Sequence, residues 1–354
     1  MATQLDHYRL LGRSGLRVSP LCLGAMTFGV GAGAWGSTDE QAARMIDTYM
    51  DRGGNFIDTA DFYGQMGGSE ALLGSLLGDR RERLVISTKY SLTTRPGDPN
   101  AAGNQRRNMV RSVEDSLRRM NTDFIDLLYL HMWDFRTPVD EILRAFDDLV
   151  RAGKVLYIGL SDTPAWQASR MQAIAELRGW TQFCALQISY SLIERTVERE
   201  LIPMAREMGL GVCPWSPLGG GVLSGKYSRA DLAPASGPAG AYDRKTMNLA
   251  TGRLNETNLA IADVVSEVAR EIGCSPAQVA LAWILANPAV CAPVLGARTP
   301  EQLEDNLGAL DLTLSPDHMA KLDQVSAVPP VFPMDVLKSP AEARMFGGVH
   351  VADR

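Results

Sequence analysis

Basic clusters, long apolar runs and paired cysteines are all missing from this sequence of 354 residues, and each absence removes a class of function. The 35 Lys and Arg residues are outnumbered by 41 Asp and Glu residues and are spread along the chain. Nucleic acids and anionic membrane surfaces need clustered cations, so neither is expected as a partner. No apolar run reaches the ~18 residues of a membrane-spanning helix, and the first ten residues lack the pattern of a signal peptide.

Cysteine and histidine are scarce as well. No Cys-x-x-Cys pair occurs, so neither a zinc site nor a disulfide framework is predicted. Most of the cysteines lie in apolar stretches, where a free thiol behaves as a small hydrophobic group. We therefore expect a cytoplasmic, reduced protein without a metal, in which these residues are free: Cys22, Cys184, Cys213, Cys274 and Cys291.

Eight short apolar segments, rich in strand-forming residues, alternate with longer segments of helical periodicity. Helix-start signals, in which Ser or Thr precedes proline, occur at Thr137, Ser275 and Thr299, and Thr38 opens another helix with an acidic first turn. Repeated strand–helix units predict an α/β protein whose parallel sheet closes into a (β/α)8 TIM barrel. The predicted strands are 21–26, 55–59, 84–89, 124–131, 156–161, 183–189, 211–215 and 291–295.

The chain is longer than the roughly 250 residues that one such barrel needs. The surplus falls in three segments: Tyr8–Ser19, predicted to form a hairpin that plugs the barrel bottom, the loop Ser228–Arg253 after strand seven, and the tail Ala327–Arg354. No shift in composition marks a second domain. We therefore predict a single domain over residues 1–354, with a core of about 8–326 and a C-terminal extension at 327–354.

Ionisable residues occur at three consecutive predicted strand ends, which in such a barrel converge on one face. Asp58 and, shortly after it, Tyr63 follow the second strand, Lys89 ends the third and His131 ends the fourth. Each has a structural alternative, since such a tyrosine often anchors a loop, a strand-end lysine is often solvated and a lone histidine is often structural. The combination carries more information than any one of them.

Together these residues suit proton transfer. The reference pKa of tyrosine, about 10, is too high for efficient proton exchange at neutral pH, and a neighbouring ammonium lowers it. A buried Lys89 would need a carboxylate such as Asp58 to remain charged. Because His131 can also donate a hydrogen bond to a substrate oxygen, the set is suited to protonating an alkoxide as a hydride reaches its carbon.

The sequence resembles the aldo-keto reductase superfamily in three catalytic segments, which are NFIDTADFYG at 55–64, ISTK at 86–89 and LYLH at 128–131. The resemblance extends from about Tyr8 to Leu310. It implies a (β/α)8 barrel that uses NADPH without a Rossmann domain. The segments HMWD at 131–134 and SDTPAW at 161–166 are similar to the aryl-alcohol dehydrogenase-like branch of the superfamily.

The same resemblance implies the role of each catalytic residue. Tyr63 would be the general acid/base, Lys89 and Asp58 would tune it, and His131 would orient the carbonyl group. The activity implied is hydride transfer between NADPH and an aldehyde or ketone, or the corresponding alcohol.

Further residues at the later strand ends are implied to bind the cofactor. The family more often has Asn at the position of Asp162, and an aspartate there can accept a hydrogen bond but cannot donate one. The family usually has Tyr at the position of Trp215, and a tryptophan there keeps an aromatic face for stacking. Arg298 precedes a predicted helix N-terminus, where the helix dipole and the guanidinium both favour a 2′-phosphate, so NADP is predicted over NAD. The implied set is Met26, Asp58, Ser161, Asp162, Gln187, Trp215, Ser216, Pro217, Leu218, Gly219, Gly221, Lys226, Gly296, Arg298, Gln302, Asp305 and Asn306.

Two glycine-rich segments are similar to nucleotide-binding motifs of other folds. Gly31–Gly36 matches G-x-G-x-x-G, but the preceding strand ends too early and the helix begins too late for a Rossmann turn, so we interpret it as a substrate-side loop. Gly220–Tyr227 is similar to a Walker A loop but has Tyr227 where Ser or Thr must bind Mg²⁺. Its glycines and Lys226 are therefore assigned to the NADPH diphosphate.

Aromatic residues near His131 suit an aromatic or other flat apolar aldehyde, although each could simply pack the barrel rim. Oxidation of a secondary alcohol on a complex natural product is an alternative. The sequence does not indicate an oligomeric state. The candidate substrate contacts are Trp35, Phe62, Trp133 and Phe135, joined by Met334 or Phe346 if the tail folds over the site.

Two other classes of function stay open at this point. Some members of the superfamily are auxiliary subunits of ion channels that bind NADPH and sense its redox state, and an intact set of catalytic residues does not distinguish them. The aromatic environment of Trp133 favours an ordinary enzyme. A metal-dependent barrel hydrolase would need His and Asp ligands on several strand ends, whereas His131 is the only histidine at a predicted strand end.

Overall fold

All eight predicted strands are present in the computed structural model, which describes residues 4–30, 36–233, 243–337 and 345–349. Most are shorter than the apolar segments that predict them, and the last begins later in the chain. An antiparallel hairpin precedes the eight parallel strands. In chain order the strands are β1 (Arg9–Leu10), β2 (Arg17–Val18), β3 (Cys22–Gly24), β4 (Phe56–Asp58), β5 (Val85–Tyr90), β6 (Ile125–Leu130), β7 (Val155–Ser161), β8 (Ala185–Gln187), β9 (Gly211–Val212) and β10 (Val294–Gly296).

The parallel strands close into a barrel. Their order is β10-β3-β4-β5-β6-β7-β8-β9, so neighbours in the sheet are neighbours in the chain except where β10 pairs with β3. The main-chain N–H groups of Cys291 and Val294 donate to the carbonyl oxygens of Val212 and Pro214 at 2.7 and 2.8 Å. These bonds join β9 and the residues after it to the beginning of β10 and the residues before it, and the predicted (β/α)8 barrel is confirmed.

Most of the helices cover the outer face of the sheet, while the seventh and the twelfth lie in the long loop and in the tail. The helices are α1 (Asp39–Asp51), α2 (Tyr63–Leu77), α3 (Arg106–Met120), α4 (Val139–Arg151), α5 (Ala165–Arg178), α6 (Leu201–Met208), α7 (Arg244–Ala250), α8 (Glu256–Ile272), α9 (Pro276–Leu285), α10 (Pro300–Leu307), α11 (Pro316–Val325) and α12 (Met334–Leu337). Thr38, Ser275 and Thr299 cap α1, α9 and α10 by accepting hydrogen bonds from main-chain N–H groups, as their positions predict. Thr137 differs, because its hydroxyl donates to Asp134 and Pro138 takes the cap position of α4.

The hairpin of β1 and β2 closes the amino-terminal end of the barrel, as predicted. Leu11 and Val18 are fully buried in a cluster with residues near the beginnings of the barrel strands, such as Phe56 and Val85. At Gly12, φ is 58° and a Cβ atom would lie 2.3 Å from the carbonyl oxygen of Cys184, so only glycine fits this close approach. The larger apolar cluster lies between the sheet and the helices.

The other two additions to the barrel are the loop after β9 and the tail. The loop holds α7 and is described except for residues 234–242. The tail holds α12, and residues 338–344 and 350–354 lie outside the described part. The boundary at residue 327 stays a prediction. All five cysteines are free thiols, and no described helix combines the length and apolar character that crossing a bilayer requires.

Candidate active site

Asp58, Lys89 and Tyr63 meet at the carboxyl ends of β4 and β5. Asp58 is the last residue of β4, and Lys89 lies near the end of β5. The Lys89 ammonium lies 2.6 Å from Oδ2 of Asp58 and donates to the carbonyl oxygen of Thr59 at 2.8 Å, shielded almost fully from solvent. It also lies 4.8 Å from the centroid of the Tyr63 ring. Asp58 and Tyr63, which the sequence motifs select together with Lys89, therefore both lie close to the Lys89 ammonium.

Two further donors fix the Asp58 carboxylate. Oδ1 of Asp58 accepts hydrogen bonds from the Ser87 hydroxyl at 2.7 Å and from the Gln187 amide at 2.9 Å. Ser87 and Lys89 are two residues apart on β5, so both side chains point to the same side of the sheet. Gln187 reaches the carboxylate from β8. Because one N–H of its amide group is engaged there, the predicted contact of Gln187 with a nicotinamide carboxamide would use the other N–H or the amide oxygen.

Tyr63 begins α2 just before a left-handed turn. The φ angles of Gly64, Gln65, Met66 and Gly67 are 66°, 59°, 69° and 111°, and the helix becomes right-handed only after them. For a residue with a Cβ atom this conformation costs roughly 1 kcal/mol or more. Gln65 and Met66 are such residues, so the turn that carries Tyr63 is strained and other parts of the fold must hold it.

The pKa of Tyr63 differs in its net direction from the sequence-based expectation. Burial raises the pKa of Tyr63 by more than the Lys89 ammonium lowers it, and the Asp58 carboxylate adds to the rise. Burial alone would lower the pKa of Lys89, but Asp58 and Tyr63 hold it above its ordinary value. Tyr63 is therefore a neutral hydroxyl beside a charged ammonium, which suits a proton donor.

His131 follows β6 and faces Tyr63 edge to face. The two ring centroids are 5.7 Å apart with an interplanar angle of 84°. Burial first, and the charge of Lys89 second, lower the pKa of His131 to about 3, so the imidazole is neutral. Its Nδ1 atom is buried and has no hydrogen-bond partner among the described residues. A neutral imidazole so placed can hydrogen-bond to a substrate oxygen near Tyr63.

The ends of β7 and β9 form an adjoining surface. Ser161 ends β7, and its buried hydroxyl has no partner within the described part of the chain. The next residue, Asp162, has φ 37° and accepts a hydrogen bond of 3.0 Å from the Trp215 indole. Burial raises the pKa of Asp162, while the Trp215 indole and the charges of Lys89 and Arg253 act in the opposite direction.

Arg253 covers this surface. Its guanidinium carbon lies 5.3 Å from the centroid of the Trp215 ring. A cation over an aromatic ring is a favourable contact, and in this structure Arg253 occupies that face of Trp215.

Three successive glycines form a tight turn after β9. Gly219, Gly220 and Gly221 all have positive φ, and the main-chain N–H of Gly220 donates to the Ser216 hydroxyl at 3.1 Å. A Cβ atom at Gly221 would lie 2.6 Å from the Lys226 ammonium, so the charge lies against bare backbone. The predicted residues Pro217 and Leu218 lead into this turn.

Positive charges gather near the glycine turn. Burial lowers the pKa of Lys226, and the charges of Arg244 and Arg298 lower it further. Such convergence of cations from separate segments beside a turn of three glycines suits a phosphate-bearing ligand.

The segment after β10 holds the remaining predicted cofactor contacts. The main-chain N–H of Arg298 donates to the Gln302 side chain at 2.9 Å, just before α10 begins. The Asp305 carboxylate accepts hydrogen bonds from Ser275 and Gln278 and so ties α10 to α9. Asp305 thus has a packing role in addition to any contact with a ligand. The cofactor contacts of this segment, and that of Met26 after β3, all stay predictions: Gly296, Arg298, Gln302, Asp305, Asn306 and Met26.

The predicted substrate contacts differ in exposure. Phe62 and Phe135 are 41% and 68% exposed, whereas Trp133 is 6% exposed and packs its ring edgewise against Phe135. Trp133 therefore offers little surface to a substrate, and its contact stays a prediction. Trp35 lies outside the described residues, as do the other residues of 31–35 from the glycine-rich segment.

The tail reaches the loop that follows β7. Met334 and Phe332 line a cavity of about 290 Å³ together with Pro164, which ends that loop, and Trp166 at the beginning of α5. Because that loop begins at the carboxyl end of β7, the tail lies along the side of the barrel that carries Asp58 and Tyr63. Phe346 is 46% exposed, and its predicted contact with substrate stays a prediction.

Sequence reasoning missed Ser87, Arg244 and Arg253 as residues near the site. Ser87 could have been selected, since it precedes Lys89 by two positions on one strand and must share its side. Arg244 and Arg253 lie in the long loop, where no periodic pattern indicates which side chains turn towards the barrel.

A parallel barrel with a buried lysine–aspartate pair, a tyrosine and a neutral histidine at its open end is the arrangement of a barrel oxidoreductase. The model of the Aldo/keto reductase family matches residues 20–327. The chain belongs to this family, which supports carbonyl reduction as its chemistry.

Relatives that are named as an oxidoreductase, a reductase and a dehydrogenase match nearly the whole chain. An uncharacterized oxidoreductase of Bacillus subtilis, YrpG, is 41% identical over 90% of this chain and 95% of its own length. The norsolorinic acid reductase of Aspergillus flavus is 37% identical over 95% of this chain and 85% of its own. A putative aryl-alcohol dehydrogenase of Saccharomyces cerevisiae, AAD14, is 33% identical over 95% of this chain and 90% of its own. The resemblance stated from the motifs is confirmed.

Proposed function

We propose that the protein transfers a hydride between NADPH and a carbonyl carbon, with Tyr63 as the general acid in reduction and the general base in oxidation. The observation that supports this most directly is the Lys89 ammonium, which lies 2.6 Å from Asp58 and 4.8 Å from the Tyr63 ring centroid. A fixed, buried positive charge stabilises the phenolate left when Tyr63 gives up its proton. Asp58 keeps that charge in place.

The residues at the open end fit the cofactor that the family implies. The unpartnered Ser161 hydroxyl and the Asp162 carboxylate would hold the carboxamide beside the Trp215 ring. Lys226 and the glycine turn would hold the diphosphate, and Arg298 the 2′-phosphate that distinguishes NADPH from NADH. When bound, NADPH supplies the hydride.

The protein side chains supply the proton and the orientation of the substrate. His131, which is neutral, donates a hydrogen bond to the carbonyl oxygen and makes its carbon more electrophilic. As that oxygen gains negative charge, the Tyr63 hydroxyl donates its proton to it. Lys89 then faces a phenolate, and the pair is neutral overall until solvent returns the proton.

We propose a flat, apolar aromatic aldehyde or ketone as the substrate class. The segments that follow β4 and β6 carry Tyr63 and His131, and they expose apolar surface at Phe62, Met66, Met132 and Phe135. Water-exposed apolar groups beside a polar reaction centre favour an apolar ligand. The name of the aryl-alcohol dehydrogenase relative agrees with this class.

The test is made with the purified protein and its Tyr63→Phe variant. Quenching of tryptophan fluorescence on titration with NADPH, and more weakly with NADH, is expected for both proteins. In the wild type, aromatic aldehydes should then oxidise NADPH, and Tyr63→Phe should lose at least about 100-fold in turnover. Absence of binding would remove the cofactor assignment, and undiminished turnover of Tyr63→Phe would remove Tyr63 as acid/base.

A further inference from the structure

Beneath the strained turn that carries Tyr63 lies an ion pair between a buried glutamate and a mostly buried arginine. Glu70 lies on α2 shortly after the turn and is fully buried. Its Oε2 atom accepts a hydrogen bond of 2.7 Å from Nε of Arg119 on α3, and Nη2 of Arg119 lies 2.7 Å from the same oxygen. This fork-shaped contact fixes both side chains in one geometry.

Arg119 packs directly under the turn. A Cβ atom at Gly67 would lie 2.5 Å from Cδ and Nε of Arg119, so the arginine stem fills the space below the last left-handed residue. Met66 is 41% exposed, and burial of its side chain therefore does little to offset the strain of the turn. Contacts on the inner side of the turn must hold it instead.

The other oxygen of Glu70 reaches the strand that carries Lys89. Oε1 accepts a hydrogen bond of 2.5 Å from the hydroxyl of Thr88. Side chains alternate along a strand, so Thr88 faces the helices while Lys89 faces the barrel interior. One carboxylate thus connects the turn of Tyr63, through Arg119, with the strand of Lys89.

We propose that Glu70 is a positioning residue, whose contacts with Arg119 and Thr88 set the distance between the Tyr63 hydroxyl and the Lys89 ammonium. The inference rests on the proposed role of Tyr63 in proton transfer. A misplacement of about 1 Å at a reacting group can cost up to about 100-fold in rate. The energy of binding substrate or cofactor does not depend on this distance in the same way, so turnover should respond more than the Michaelis constant.

A second buried ion pair provides a matched control. Arg81 and Asp126 lie 2.7 Å apart with side chains 9% and 11% exposed, and Asp126 also accepts a hydrogen bond from the main-chain N–H of Ile86, near the beginning of β5. This pair is at the opposite end of the barrel from Tyr63. Replacing either pair by apolar residues of similar size removes buried charges without leaving one of them unpaired.

The experiment compares Glu70→Leu/Arg119→Met with Arg81→Met/Asp126→Leu, and includes Glu70→Gln in case the first double variant does not fold. We expect turnover to fall about 10-fold or more for both Glu70 variants, with dissociation constants for NADPH within about twofold of the wild type. The control double variant should unfold in urea at a midpoint similar to that of Glu70→Leu/Arg119→Met. Its turnover should nevertheless remain that of the wild type. The pH profile of turnover should move to higher pH only in the Glu70 variants, because Tyr63 would lose part of the influence of Lys89.

Equal losses of turnover in both double variants, or full turnover in folded Glu70→Gln, would overturn the proposal. An undiminished Tyr63→Phe would instead overturn the proposed acid/base chemistry, so the two failures are distinguishable. An unshifted pH profile together with lower turnover would also count against Glu70 as a positioning residue.

Discussion

The Gln187 amide donates a hydrogen bond of 2.9 Å to Asp58 across the interior of the barrel. Asp58 ends β4 and Gln187 ends β8, and these strands are four places apart in a ring of eight. The bond therefore spans opposite walls. It fixes the carboxylate that holds Lys89, so the geometry of the site depends on the barrel as a whole as well as on the loops.

Gln187→Leu is expected to lower turnover about 10-fold and the free energy of unfolding by about 1 kcal/mol, since it removes one buried hydrogen bond to Asp58. Steady-state kinetics and urea unfolding measure the two effects. Gln172→Leu is the control, because the buried Gln172 amide donates to the Phe183 carbonyl on the helix side of the sheet. It should lose stability while keeping turnover. Full activity of Gln187→Leu would mean that Asp58 does not need this bond.

Breaking the Lys89–Asp58 pair should destabilise the fold more than removing it altogether. Asp58→Asn leaves a buried ammonium without its counter-charge, which typically costs about 3–5 kcal/mol. The double variant Asp58→Leu/Lys89→Met should unfold at a urea concentration closer to that of the wild type. Its turnover should stay as low as that of the single variant, since the charge beside Tyr63 is gone. Recovery of turnover in the double variant would contradict the role given to Lys89.

Asp61 should make stability fall as the pH rises. Burial first, and the Glu70 carboxylate second, raise the pKa of Asp61 to about 8, although the Ser112 hydroxyl, Arg119 and Lys89 act in the opposite direction. The folded protein therefore keeps a proton that the unfolded chain releases at about pH 4, and folding loses at most about 1.4 kcal/mol per pH unit between there and pH 8.

Asp61→Asn should remove this slope when urea unfolding is followed at about pH 5 and about pH 8. Asp98→Asn is the control, because the main-chain hydrogen bond from Asn100 and the Arg111 side chain lower the pKa of Asp98, which is therefore ionised throughout that range. The free energy of unfolding of Asp98→Asn should differ from that of the wild type by the same amount at both pH values. Parallel pH profiles for Asp61→Asn and the wild type would show that Asp61 is ionised in the folded protein.

Arg298→Ala is expected to raise the Michaelis constant for NADPH about 10- to 100-fold, the scale of a charged hydrogen bond, and to change that for NADH little. Arg44→Ala is the matched control. Arg44 on α1 lies 3.7 Å from Glu301 on α10, the helix that Arg298 precedes, and both side chains are largely exposed. Its loss should leave both constants unchanged. Equal effects of Arg298→Ala on the two cofactors would mean that Arg298 does not contact a 2′-phosphate.

The sequence alone was enough to predict the barrel and its four ionisable residues, because strand periodicity and cap residues are local signals. The contact between Asp58 and Gln187 was not predictable in that way, since it depends on how eight strands close into a ring. The strained backbone at Gln65 and Met66 gave no signal either, because neither residue favours positive φ. For Tyr63, the influence of Lys89 was foreseen, but the larger effect of burial on its pKa depends on the packing around it.

The hairpin of β1 and β2 determines from which end of the barrel a ligand can reach the site. Leu11 and Val18 are fully buried against residues at the strand starts and close that end of the barrel. A molecule that reaches Tyr63 must therefore approach from the carboxyl ends of the strands. Two short strands far from the chemistry thus confine access to the end of the barrel where the loops can select what enters.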